Sequence, residues 1–352
     1  MAIVIREAEL ATDKELLLNI LLRNREHGDN AIRRARFEWS FFRNPFGRPR
    51  AWLVFDQSSG RAVGMVAAFP RRLLVNGQSI IAWNGGDTSV DHDYRTLGVA
   101  MKLRRAVKDC VDREGIPFLY SFPVDRMCAV LQKVGHLDLG MFIRHGLILR
   151  SEALFARVGV NGRLSQLLSI LTNGLPSLQW CHRFGQKRFS LRLQRDLHFG
   201  EEYDALFQHA GHQHRVVTVR DSQFLNWRFV TNPAVRELQI FRLEEGGQLA
   251  GYALIGVEGR AARIIDLLVA GDHLAVRTLL LGLIRNLRAA GIHTLALQAL
   301  RHSAVVAEAR PLGFMFPDTR NAIVSIYVPD NAMAEIVKDH RHWFMTQADR
   351  DV

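Results

Sequence analysis

The sequence predicts an α/β fold of the α+β kind, built as two tandem units, each a mixed, mostly antiparallel twisted sheet flanked by helices. Three observations predict it. Short β-patterned runs alternate with amphipathic stretches of helical period, which gives sheets covered by helices. Asn76-Gly77, Glu245-Gly246-Gly247 and Glu258-Gly259 are hairpin turns that join neighbouring strands antiparallel. The chain also repeats itself. Trp39, Phe41, Asn44 and Pro45 recur at the same spacing as Trp227, Phe229, Asn232 and Pro233, and Ile3 and Ile5 fall at that offset on Leu191 and Leu193. Gly64, Asp87, Gly115 and Gly135 then match Gly251, Asp266, Gly291 and Gly313 in the same order.

The first unit opens with a strand at Ile3–Ile5. A helix follows, with Thr12 and Glu15 as a capping box and Leu16, Leu17, Ile20 and Leu21 as its buried stripe. Strands are expected at Ala51–Phe55, Ala62–Ala68, Leu73–Val75 and Ser79–Trp83, then at Thr88–Val90. The next helix buries Val99, Leu103, Ala106, Val107, Cys110 and Val111 and turns Lys102, Arg104, Arg105 and Lys108 to solvent. A strand at Phe118–Phe122 and a short helix ending near His136 complete the unit. The units are placed at residues 1–150 and 190–330. Between them lies a bridge, 151–189, with a helix at Arg163–Leu171. After them comes a charged tail, 331–352, that reads as a surface helix. The second unit's helix carries the stripe Val276, Leu279, Leu280, Leu283, Ile284 and Leu287. The two tryptophan–asparagine–proline segments read as packing corners.

At 352 residues the chain can bury two ordinary cores, and 48% hydrophobic with 23% charged residues is the balance of a soluble globular protein. No apolar run approaches the roughly 18 residues of a membrane span. The start is strand-like with early charges rather than a secretory leader. Cys110, Cys128 and Cys181 form no CxxC and cannot all pair, which points to a reducing, cytoplasmic setting. The net charge of +11 suits an anionic ligand. The densest basic stretch, 182–195, has no nucleic-acid module signature and reads as solvated surface, so no nucleic-acid partner is expected. His209, His212 and His214 lack the Cys or acidic partners of a metal site and read as a loop; no metal is expected.

The chemistry concentrates between Asp87 and Gly115. A strand ends, a short loop carries Arg95-Thr96-Leu97-Gly98-Val99-Ala100, and a helix begins. A loop opening into a helix offers unpaired N–H groups and the positive end of the dipole, a seat for a pyrophosphate. Between Asp266 and Gly291 the second unit keeps the helix but has neither the loop nor Arg-x-x-Gly-x-Ala. The first unit is therefore the cofactor side and the second a scaffold or substrate wall. Asp91, His92 and Asp93 read as exposed loop residues.

This order of elements, with Arg95-x-x-Gly98-x-Ala100 ahead of the helix, resembles the GNAT superfamily of N-acetyltransferases over about residues 1–145. The second unit looks like a degenerate copy, as in tandem-GNAT proteins. The resemblance implies acetyl-CoA, or another acyl-CoA, as co-substrate. Its pyrophosphate would lie on the amides of Thr96, Leu97, Gly98, Val99 and Ala100 beside Arg95, and basic residues of the helix would screen its phosphates. The strand N–H near Val90 would polarise the thioester carbonyl. A small-molecule or peptide amine would attack directly, its proton going to a base. The family's usual tyrosine acid falls here on Leu131, so Tyr120 and Ser121 are the substitutes, and Asp87 is the best candidate base. Two rival activities remain open at this point. One is a tandem-GNAT aminoacyltransferase fed by charged tRNA, and the other a non-catalytic acyl-CoA-binding regulatory module.

Overall fold

The longest ladder grows from a two-residue turn. Asn76 and Gly77 hold φ of 48° and 78°, the left-handed pair that a type I′ hairpin requires. On this turn β3 (Ala62–Val75) and β4 (Gln78–Val90) pair out to Gly64↔Val90, with one register shift between Ala67 and Met65. Four separate short strands were expected here, and the structure makes them two long ones. Pro70 is tolerated because β2 (Arg50–Asp56) stops pairing with β3 at Ala68, so its missing N–H has no ladder to break.

The computed structural model describes residues 2–25, 28–95, 97–150, 188–235, 237–320 and 322–350. The bridging helix expected at Arg163–Leu171 lies outside them. The further strands are β1 (Ile3–Glu7), β5 (Leu119–Ser121), β6 (Leu137–Ile148), β7 (Phe189–Gln194), β8 (Val216–Thr218), β9 (Leu238–Glu245), β10 (Gln248–Glu258), β11 (Ala261–Val269), β12 (Thr294–Leu300), β13 (Phe316–Asp318), β14 (Ile323–Tyr327) and β15 (Trp343–Phe344). The longer helices are α1 (Lys14–Arg23), α2 (Asn30–Phe42), α3 (Leu97–Glu114), α4 (Asp125–Lys133), α5 (Glu201–Gly211) and α6 (His273–Ala289).

One mixed, mostly antiparallel sheet runs through the molecule in the order β1-β2-β3-β4-β5-β14-β6-β12-β11-β10-β9-β7. The antiparallel run β2-β3-β4 leads into α3 and then β5, parallel to β4. The antiparallel run β9-β10-β11 leads into α6 and then β12, parallel to β11. At the centre the chain crosses over. β14, from the C-terminal part, fills the place between β5 and β6, while β6, from the N-terminal part, pairs along β12 from Phe142↔Leu300 to Ile148↔Thr294.

Helices cover both faces. Val99, Leu103, Val107, Cys110 and Val111 of α3 pack against Trp52, Val66 and Trp83. On the opposite face Leu17, Leu18, Ile20 and Leu21 of α1 and Phe37 and Phe41 of α2 meet Leu53, Met65 and Phe69. The stripe of α6 lies in a core shared with Trp39 and Trp227. Those two tryptophans stack on each other, ring centroids 4.4 Å apart, and the indole N–H of Trp39 donates to the Trp227 carbonyl at 3.0 Å. The repeated segments thus meet at one buried corner. No helix among the described residues is long and apolar enough to cross a membrane.

Three local expectations change. Asp13, not Thr12, precedes α1, and its carboxylate takes Arg6 (2.6 and 2.7 Å) and the Glu9 N–H instead of a helix amide. No capping box forms, and Leu16 is 40% exposed. The tail is not a surface helix: Trp343, Phe344, Met345 and Ala348 are buried, and β15 pairs with β8. Its charges conceal an apolar cluster at 343–345 that drives it into the core.

Candidate active site

β4 and β5 run side by side for three pairs, Trp83↔Leu119, Asn84↔Tyr120 and Gly85↔Ser121, and then part. Two local features separate them. Gly85 sits where the strands are closest: a Cβ there would stand 2.6 Å from Ser121 Oγ. Beyond it the β3–β4 register jumps from Ala67↔Gly86 to Met65↔Ser89, so Asp87 and Thr88 bulge opposite the single residue Val66. Asp87 adopts φ 44°, left-handed backbone that costs a non-glycine residue on the order of 1 kcal/mol or more. The bulge bends β4 away while β5 gives way to Phe122-Pro123 and α4.

The parting opens a cavity of about 430 Å³, walled by Gly85–Thr88 and Val90 on one side and Ser121–Val124 on the other. The first turn of α3 borders it: Ala100 lines the cavity and Gly98 is exposed. The positive end of the α3 dipole therefore lies at this edge of the cavity. Thr96 lies outside the described residues. The loop before the helix is braced from behind. Asp91, held largely from solvent, accepts from Arg23 (2.7 and 2.8 Å) and Asn24 (2.8 Å). Arg95 donates to the Val90 carbonyl (2.9 Å) and to Asn24 (3.1 Å). Asp91 is therefore a structural anchor rather than an exposed loop residue, while His92 and Asp93 are exposed. The Asp91 N–H donates to the Val63 carbonyl at 2.8 Å, so by the alternation of an antiparallel ladder the Val90 N–H faces away from β3, toward the gap.

Asp87 is the buried charge of the cavity. Its Oδ1 accepts from Arg25 (2.7 Å) and Arg36 (3.2 Å), and its Oδ2 has no hydrogen-bond partner among the described residues. Ser121 is buried on the opposite wall, its Oγ also unpartnered. Strand alternation sends Tyr120 the other way. It is fully buried among Phe118, Phe122 and Trp343, it does not line the cavity, and burial raises its phenol above the ordinary value. The structure thus brings Asp87 and Ser121 together with Val90, Arg95 and Ala100 and leaves Tyr120 behind the sheet.

Arg104, read as solvated, is 5% exposed and donates to Thr88 Oγ1 at 2.7 Å. The signal was present: Ala100, Arg104, Val107 and Val111 lie on one helical face. Arg25 and Arg36 had no such signal, being 62 and 51 residues from Asp87.

The corresponding place in the C-terminal half is filled. Asp266 on β11 is wholly buried and accepts from Arg220 (3.1 Å), Tyr252 (2.6 Å) and Thr346 (2.5 Å). Burial raises its carboxyl against the pull of Arg220. The N-terminus of α6 is capped by Asp272, whose carboxylate takes the Leu274 and Ala275 amides. The leading amides of α6 are thus already bonded within the chain.

A parted pair of parallel strands beside a helix start is a fold feature that can be compared. Residues 22–135 match the model of the acetyltransferase (GNAT) domain. The chain has the GNAT fold, with a large mostly antiparallel sheet flanked by helices. The GCN5-related N-acetyltransferase of Anabaena variabilis superposes with a TM-score of 0.64 at 13% identity, over 93% of this chain and 73% of that one. The GCN5-related N-acetyltransferase of Kribbella flavida gives 0.63 at 14%, over 96% and 74%. The N-myristoyltransferase of Saccharomyces cerevisiae, solved with bound myristoyl-CoA, gives 0.54 at 12%, over 92% and 78%. No curated protein matches the chain in sequence.

Proposed function

We propose that the protein is an N-acyltransferase that moves an acetyl or other acyl group from acyl-CoA to the amine of a small molecule or peptide. One juxtaposition carries the reading: β4 and β5 part directly beside the first turn of α3, so a thioester arm between the strands and a pyrophosphate on the helix amides fit one ligand. The yeast N-myristoyltransferase neighbour, with its bound myristoyl-CoA, supports a co-substrate of this class.

In this reading the amides of Leu97, Gly98, Val99 and Ala100, with that of Thr96, hold the pyrophosphate. Arg95 keeps the loop in shape, and Arg104 and Arg126 add positive charge to the cavity. When bound, the co-substrate supplies a thioester whose carbonyl carbon takes the amine and whose sulfur leaves as thiolate. The Val90 N–H stabilises the carbonyl oxygen. Asp87 Oδ2 takes the proton lost by the amine; an unpaired buried carboxylate oxygen is a place for an ammonium N–H. The Ser121 hydroxyl, on the opposite wall, hydrogen-bonds the departing thiolate, which takes its proton from solvent. Tyr120, facing away, has no part in this scheme.

We also take residues 1–150 and 190–330 as two copies of one unit, the second degenerate, with 151–189 as bridge and 331–352 as tail. The recurring strand succession, the stacked Trp39–Trp227 pair and the plugged Asp266 support this division. Cys110 and Cys128, both free thiols, suit a cytoplasmic protein.

The test is calorimetric titration of acetyl-CoA into wild type and Gly98→Glu, followed by an amine panel scored by thiol release. Wild type should bind, and the glutamate, placed against the pyrophosphate, should weaken binding by at least about tenfold. Acyl-CoA ignored by wild type refutes the proposal.

A further inference from the structure

A second cavity, about 820 Å³, lies between α2, the β10–β11 hairpin and the C-terminal segment. Its charged lining is Arg36, Arg228, Arg263 and Arg350 against Glu237 and Glu258. Two of these arginines also reach residues that line the acyl-donor cavity, without lining it themselves. Arg36 reaches Asp87 on the far side, and the Arg350 guanidinium lies 5.7 Å from the centre of the Phe122 ring at the fork. The two cavities are thus neighbours, with Arg36 and Arg350 as a cationic partition between them.

The partition's charges are unequally satisfied. Arg36 has Asp87, and Arg263 has Glu258 at 3.2 Å. Arg350 has no carboxylate partner among the described residues; its guanidinium rests on Phe122 while Arg228 donates to its backbone carbonyl at 3.4 Å. A half-buried guanidinium beside a second arginine is an electrostatic vacancy for an anion. Its planar fork suits a carboxylate. The two glutamates of the lining disfavour a polyanion such as a nucleotide, and leave room for a monoanion that also carries positive charge.

Resting on the acyltransferase reading, we infer that this cavity takes the acceptor, and that the acceptor is an amine bearing a carboxylate, an amino acid or short peptide, whose carboxylate is held by Arg350. Seated there, its amine is directed at the partition, toward Arg36 and the Asp87 carboxylate that Arg36 holds. The bond formed is the amide N–C, the bond broken is the C–S of the thioester, and the amine proton goes to Asp87.

The test reads binding separately from turnover. N-acetyl amino acids, the products such a reaction would make, and their carboxamides are titrated into wild type, Arg350→Gln and Arg350→Lys, with acetyl-CoA titrated in parallel. The acids should bind wild type at least about tenfold more tightly than the carboxamides. Arg350→Gln should erase that ratio with acetyl-CoA affinity unchanged, and Arg350→Lys should restore part of it. Equal binding of acids and carboxamides to wild type, no binding of either, or an unchanged ratio in a folded Arg350→Gln overturns the inference. If Arg350→Gln does not fold, the wild-type ratio and Arg350→Lys decide. Loss of acetyl-CoA binding in wild type would instead strike the transferase reading, leaving the carboxylate preference to stand or fall on its own titration.

Discussion

Gly85→Ala tests the fork most directly. The new methyl would stand 2.6 Å from Ser121 Oγ, 3.2 Å from Arg104 Nη1 and 3.4 Å from Leu119 Cδ1. Even a weak C–H···O contact has carbon and oxygen about 3.3–3.6 Å apart, so the first overlap is about 0.7 Å or more. The Ser121 backbone cannot slide aside, because it is paired with Gly85 on one edge and Ser325 on the other, so its Oγ has to turn to another rotamer in a packed site. Overpacking of this kind costs about 1–3 kcal/mol, and the lost backbone freedom of the unfolded chain returns about 0.4–1 kcal/mol, for a net loss of about 1–2 kcal/mol. Ser121→Ala alone should be close to neutral, since its buried Oγ has no hydrogen-bond partner to lose. The double variant should regain most of the loss, a coupling of about 1–2 kcal/mol in urea denaturation. Acetyl-CoA titration should follow the same pattern if the fork holds the thioester arm. Purely additive stabilities would show that β4 and β5 are not this close at Gly85, and the geometry argued for the cavity would fail with them.

Asp87→Asn keeps shape and removes the charge, and should lower thiol release by about 10²-fold or more with acetyl-CoA binding little changed; unchanged turnover removes Asp87 as base. Arg220→Met leaves Asp266 and Asp349 without their cation in the core and should cost about 3–5 kcal/mol, so a urea midpoint close to wild type would contradict the network drawn. His136 is held down to about 3 by burial, with Arg104 and Lys108 repelling its proton, and His214 to about 4 by burial and Arg220. The unfolded chain protonates these rings near pH 6.5 and the native one does not, so their contribution is complete above that pH and is lost as pH falls toward 4 and 3. At pH 5 the loss is about 2 kcal/mol for each ring. His136→Asn should flatten the fall between pH 7.5 and 5 in urea denaturation, and an identical slope in variant and wild type would refute the assignment.

Features written in neighbouring residues were legible in advance. Asn76-Gly77 and Glu245-Gly246-Gly247 are turns, and the stripes of α3 and α6 are buried as read. Features that depend on distant partners were not. α2 escaped because Arg33, Arg34 and Arg36 interrupt an apolar stripe that only the facing β2–β3 surface completes. Pro70 and the two following arginines looked like a break between strands, yet Arg71 is buried with its guanidinium over the Trp227 ring at 4.8 Å. In the candidate site the loop Arg95–Ala100 was read as an anion seat, and Arg95 and Ala100 do line the cavity. The bulge at Asp87, the arginines that clamp it and the outward turn of Tyr120 are set by register and tertiary pairing.

The crossing of β14 and β6 at the middle of the sheet has a consequence for how the protein is made. Until residues 323–327 leave the ribosome, β5 has no neighbour on one side, and β6 awaits both β14 and β12. A nascent chain carrying only the N-terminal half therefore presents bare strand edges, the kind of surface that recruits chaperones or aggregates. The two halves are locked like hooked fingers, and neither could be released by a cut in the bridge and still close its own sheet. Protease protection of stalled nascent chains should accordingly rise only once β14 has emerged.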